Sequence, residues 1–115
     1  MRIVVIEDHQ DTADLMHEIL REAGHDVRIA LTGEEGVATA RAHAAEVILC
    51  DVGLPDIDGY EVARRLRADA TTAHARIIAL TGYDGNEESE RARAAGFDRH
   101  VVKPIDPLML TTLLS

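Results

Sequence analysis

The 115-residue sequence has no tryptophan and only three aromatic residues, Tyr60, Tyr83 and Phe97. Its core must therefore be built from Val, Ile, Leu, Met and Ala, and the aromatic platform on which single-stranded nucleic acid stacks is missing. Positive charge is also scarce. Against 21 Asp and Glu stand 12 Lys and Arg, a formal net charge of -9, which opposes a phosphate backbone. Direct nucleic-acid binding is thereby disfavoured. The lone cysteine, Cys50, allows no internal disulfide and lies inside an apolar run, as a small buried hydrophobe does. No apolar run approaches the roughly 20 residues that span a bilayer, and the N-terminus enters a strand at once without a signal-peptide pattern. The expectation is a cytoplasmic chain with no membrane partner. Hydrophobic residues at 46% and charged residues at 29% suit one globular domain over residues 1–115, near the commonest domain size.

What is present is an alternation, and the stretch VILCDVGLPDIDG from Val47 to Gly59 sets it. An apolar run of this kind reads as a strand buried on both faces, and Gly53 and Pro55 then force a turn. Asp51 falls at the strand's carboxyl end. Further apolar strands are read at Arg2 to Ile6, Val27 to Leu31, Ile77 to Leu80, and Val101 with Val102. Between them run helical patterns. The first is capped around Asp11 and carries Met16, Ile19, Leu20 and Ala23 up to Gly24; the second follows Thr32 and Gly33, with Val37, Ala40 and Ala44 inward. The third follows Asp58 with Val62, Ala63 and Leu66, and the fourth, Asn86 to Ala95, is polar with little to tie it to the core. The fifth starts at Asp106 and Pro107 and bears Leu108, Leu110, Leu113 and Leu114. Strands separated by helices predict an α/β, doubly wound parallel sheet with helices on both faces. His9, His17, His25, His43 and His74 share no ligand spacing and are expected at the surface or in loops.

Such sheets bind ligands beyond the carboxyl ends of their strands. Those ends here carry Glu7 and Asp8, Asp51, Thr81 and Lys103. Three carboxylates in one crevice repel, and their hard oxygens are what Mg²⁺ takes. A divalent cation, an ammonium and a hydroxyl around one carboxylate suit the equatorial oxygens of a phosphoryl group in transfer.

Glu7-Asp8, Asp51 followed by GLPDIDG, Thr81 and Lys103-Pro104 together resemble the motif set of bacterial two-component response-regulator receiver domains, in order over essentially the whole chain. The wording GLPDIDGYEVARRLR and AGFDRHVVKPID looks most like receivers found with hybrid sensor kinases and chemoreceptor-modifying enzymes. The resemblance implies a flavodoxin-like, five-stranded sheet in the order 2-1-3-4-5, and a signalling switch rather than an ordinary enzyme. It implies that Asp51 is the phosphoacceptor and that Thr81 and Lys103 contact the phosphoryl oxygens. Asp8, Asp51 and the Gly53 carbonyl would bind Mg²⁺, or Mn²⁺ in its place, with Glu7 reaching it through water. Lys103-Pro104 would be cis. The phosphoryl donor would be a histidine kinase or a histidine phosphotransfer protein, and a downstream effector or fused output domain would read the change.

Two positions depart from the usual family pattern. Glu7 stands where Asp is more frequent, and His100 stands three residues before the lysine, where an aromatic side chain usually rotates on activation. Thr81 and His100 are accordingly the expected switch pair. Gly53 leaves an in-line path for water to the acyl phosphate, and Tyr83, two residues past Thr81, is expected to cover part of it. A phosphatase of the haloacid-dehalogenase type would want a second acid two residues after its nucleophile, where this chain has Gly53. A flavodoxin would want a Ser/Thr/Gly phosphate cradle after the first strand, where this chain has EDHQD. The chain is either a stand-alone regulator or part of a longer protein.

Overall fold

A computed structural model of the chain describes residues 1–82 and 85–114. Ten elements alternate: β1 (Arg2–Ile6), α1 (Gln10–Glu22), β2 (Asp26–Ala30), α2 (Gly33–His43), β3 (Val47–Asp51), α3 (Gly59–Ala68), β4 (Arg76–Thr81), α4 (Asn86–Ala95), β5 (Arg99–Val102) and α5 (Pro107–Leu113). The five strands are parallel in the order β2-β1-β3-β4-β5. The expected doubly wound fold is therefore present, with β1 and β3 adjacent where the winding reverses. Among the described residues no helix is long and apolar enough to cross a membrane.

The apolar runs become the central strands because both their faces are covered. Val4, Ile6, Ile48, Cys50, Ile77 and Ala79 point toward α2, α3 and α4, where Ala40, Val62, Ala63, Leu66, Ala92 and Ala95 meet them. Ile3, Val5, Leu49, Ile78 and Leu80 pack on the other side against Met16 and Leu20 of α1 and Leu110 and Leu113 of α5. Each fully buried side chain of this size contributes roughly 1.5–3 kcal/mol. The two edge strands are only partly covered, so Arg28 and Arg99 remain exposed.

Sequence and structure differ locally in ways that packing explains. The cap of α1 is His9 rather than Asp11: its Nδ1 accepts the Thr12 N–H at 3.3 Å, and Asp11 instead lies in the first turn beside the positive end of the helix. In α2 the inner face runs through Gly36, Ala40 and His43, whereas Ala44 is exposed as the left-handed C-cap with φ 50°. His43 is thus buried, not superficial, with Nε2 3.2 Å from the Asp26 carbonyl oxygen. Gly36 is required there, because a Cβ would stand 2.5 Å from Ile6 Cδ1. Strands β4 and β5 extend beyond their apolar centres to include Arg76, Thr81, Arg99 and His100. In α5 Leu108 faces outward while Leu110 and Leu113 are buried and Leu114, the helix's C-cap, is buried too. The Lys103-Pro104 peptide is cis, as the resemblance implied.

Candidate functional site

Four strand ends meet at one edge of the sheet. The Val47–Asp51 strand delivers Asp51 into a buried position, and the turn that follows brings the Gly53 N–H onto Asp51 Oδ1 at 3.1 Å. Directly after β1, Glu7 is buried and Asp8 exposed. Lys103, just past β5, reaches back so that Nζ lies 2.9 Å from Glu7 Oε1 and 3.2 Å from Asp51 Oδ1. Its own backbone N–H donates to the Thr81 carbonyl at 2.7 Å, which locks the ends of β4 and β5 together. Thr81 is buried there.

Charge and burial pull the three inner groups in different directions. Burial raises the Glu7 carboxyl above its ordinary value; the Lys103 ammonium opposes this, and the neighbouring Asp51 carboxylate adds to it. Asp51 is lowered: burial alone would raise it, but hydrogen bonding from Glu7 and the Gly53 N–H together with the Lys103 charge outweigh that. Burial works against the Lys103 ammonium, yet Glu7 and Asp51 hold it above the usual lysine range. Asp51 is therefore the inner carboxyl most firmly ionised.

Carboxylate oxygens of Glu7, Asp8 and Asp51 lie within 4.8 Å of one another. One ammonium cannot balance three carboxylates, and the excess negative charge on hard oxygen donors fits a hard divalent cation. A cavity of about 720 Å³ opens beside the cluster, lined on its apolar side by Leu15, Met16, Ile19, Ile105 and Leu110. The structure thus gathers Glu7, Asp8, Asp51 and Lys103, with Gly53 touching Asp51 through its N–H. His100 lies elsewhere, opposite Ala79 in the sheet and bordering a small cleft with Ser89 and Arg93 of α4. Tyr83 lies outside the described residues.

Residues 3–115 match the response regulator receiver domain family over nearly the full chain. The chain belongs to that family. This receiver is 36% identical over 110 residues to the virulence sensor protein BvgS of Bordetella pertussis, covering 91% of the chain but 9% of BvgS. It is 29% identical to the polar-differentiation response regulator DivK of Brucella ovis, covering 98% of the chain and 93% of DivK. Among solved structures, the chemotaxis protein CheY4 of Vibrio cholerae superposes with a TM-score of 0.94 at 26% identity, over 98% of this chain and 94% of that one. The receiver is thus a signalling switch of two-component systems, a family whose typical role is phosphoacceptance, and not a classical enzyme.

Two neighbours of the site have no clear signal in the sequence. Asp56, in the β3–α3 loop, accepts the N–H groups of Gly33 and Glu34 at 2.8 Å each. Tyr60 of α3 donates its hydroxyl to Glu88 Oε2 of α4 at 2.5 Å, and the Arg91 guanidinium lies 4.1 Å from the centre of its ring. Both ties cross between elements, and only the alternation of types, not the partners, is written locally in the chain.

Proposed function

We propose that residues 1–115 form a single receiver domain whose Asp51 accepts a phosphoryl group from a histidine kinase or histidine phosphotransfer protein. The observation that carries this is the buried Asp51 carboxylate at the end of β3, ionised beside the Lys103 ammonium and two further carboxylates. An Asp51 carboxylate oxygen forms the new P–O bond as the P–N bond of the phosphoimidazole breaks, and the departing imidazole takes a proton from solvent. Lys103 stabilises the added charge and Thr81 meets a phosphoryl oxygen. Asp8, Asp51 and the Gly53 carbonyl would hold Mg²⁺ or Mn²⁺, with Glu7 behind a bridging water. Bound there, the cation supplies positive charge to the phosphoryl oxygens.

Movement of Thr81 toward the phosphoryl group is read out by His100 and the face formed by α4, β5 and α5, to which a downstream effector or fused output domain binds. The match to a short segment of BvgS favours a receiver of the kind joined to sensor kinases. The acidic, platform-poor surface supports a cytoplasmic protein partner and argues against nucleic acid. Small phosphoryl donors should also serve, since the site and not the donor holds the chemistry. Incubated with acetyl phosphate and Mg²⁺, the protein should gain one phosphoryl group by intact mass, and Asp51→Asn should gain none. An adduct that persists in Asp51→Asn, or forms equally in excess chelator, contradicts the assignment.

A further inference from the structure

The loop that carries Gly53 is held at its base, at its outer end and, between them, by Leu54, whose side chain is buried in the core. At its base, the Gly59 N–H donates to the Val52 carbonyl at 2.9 Å, and the fit is tight enough that a Cβ at 59 would stand 2.6 Å from the Asp51 carbonyl oxygen. At its outer end, the Asp56 carboxylate takes the two first N–H groups of α2, one on each oxygen. A helix begins with N–H groups that have no partner inside it. Asp56 fills that need from another element, 23 residues away from Gly33. Ile57 follows it against the same turn, since a Cβ at Gly33 would come within 2.5 Å of Ile57 Cγ1.

Helix α2 already has a local cap. Thr32 Oγ1 accepts the Glu35 N–H at 3.1 Å, and Glu35 Oε1 reaches back to the Leu31 N–H. Thr32 takes only the third N–H of the helix, and Asp56 completes the cap on the first two from the loop after Asp51. What Asp56 adds beyond capping is a fixed position for that loop. Gly53 stands between the base and Asp56, next to buried Leu54, and is itself exposed with nothing within 4 Å of where a Cβ would be, so its own packing does not hold it.

We infer that Asp56 is a positioning residue of the phosphoacceptor site: by clamping the β3–α3 loop to the start of α2, it holds the Gly53 N–H on Asp51 and the Gly53 carbonyl where a cation needs it. This rests on the phosphoacceptor reading given above. The bonds from Glu34 and Gly33 hold the Asp56 carboxyl down to about 2, so the clamp is charged and intact throughout the neutral range. Loss of the clamp need not unfold the region, because the Arg65–Glu34 ion pair at 2.8 Å still joins α3 to α2.

The test compares Asp56→Ala with Thr32→Ala, which removes a cap from the same helix without touching the loop. Mg²⁺ alone is titrated calorimetrically into each, and hydrogen exchange of the Gly53 amide is followed in metal-free protein. Asp56→Ala should weaken Mg²⁺ binding about tenfold, the lower end of what loss of a supporting contact costs a metal site, and should speed Gly53 exchange. Thr32→Ala should lower the melting temperature but leave both readings at the parent values, and Asp56→Asn, which keeps an acceptor, should recover part of the loss. Equal effects of the two Ala variants, or an unchanged Mg²⁺ affinity and Gly53 exchange in Asp56→Ala, overturn the inference. Should Asp56→Ala fail to fold, Asp56→Asn against Thr32→Ala decides by the same readings. A parent protein that neither binds Mg²⁺ nor takes up phosphate would instead sink the phosphoacceptor reading, while Gly53 exchange would still judge the clamp.

Discussion

At Asp51 the backbone supplies what side chains cannot: a strand end brings the carboxylate inward, and the very next turn returns the Gly53 N–H to it. Gly53 itself is open on its outer side and does not use a left-handed backbone, so a larger residue fits without strain. Gly53→Arg should therefore fold normally and prolong the acyl phosphate by covering the approach of water to phosphorus. Decay of the phosphoryl adduct by intact mass is the measurement, and an unchanged half-life contradicts the geometry. Glu7, Asp8, Asp51, Thr81 and Lys103 are legible from sequence because each is a polar residue that ends or directly follows an apolar run. Asp56 is not, since its loop offers Asp58 as an equal candidate and its partners lie in another helix. His43 is missed for a related reason: a histidine near a helix end looks superficial until the helical period is anchored by Gly36 and Ala40.

Among the helices, α4 is the one whose attachment depends most on polar contacts. Its buried residues are Ala92 and Ala95 only, and Gly85 caps it with no side-chain bond. Tyr60 compensates from α3: its ring meets Phe97 edge-on at 6.2 Å and carries Arg91, while its hydroxyl holds Glu88. Tyr60→Phe keeps the ring and loses the hydroxyl, so it should cost about 1 kcal/mol and raise amide exchange in α4 more than in α3. Uniform exchange across both helices would deny α4 its special dependence on Tyr60. The sequence shows α4 as weakly anchored, which is correct for apolar contacts, but the aromatic and ionic tie arises only when α3 and α4 become neighbours. On the adjoining strand His100 borders a cleft with Ser89 and Arg93 of α4, and Asp98 and Arg99 precede it in the chain.

Over the whole molecule, the order of elements follows from the sequence because two periodicities alternate, and parallel strands joined by helices leave little choice of winding. Sheet order is less accessible locally: β1 lies between β2 and β3, and that adjacency, which the family resemblance implied, is what sets Glu7 and Asp8 beside Asp51. The ends of β2, β4 and β5 vary by a residue or two from the sequence reading, chiefly because charged or polar terminal residues such as Asp26, Arg76, Thr81, Arg99 and His100 are still in the strands, whereas β3 runs from Val47 to Asp51 as read. This arrangement concentrates excess negative charge at one sheet edge and places the sole nearby ammonium among the described residues, Lys103, just past the last strand in the chain. The central claim is that this convergence makes Asp51 the phosphoacceptor. Borohydride reduces an acyl phosphate of aspartate to homoserine, so treating the phosphorylated protein and sequencing its peptides by mass spectrometry marks the modified residue. Homoserine should appear at position 51 and depend on the divalent cation; homoserine at position 8, 56 or 58 in place of 51 would contradict the account.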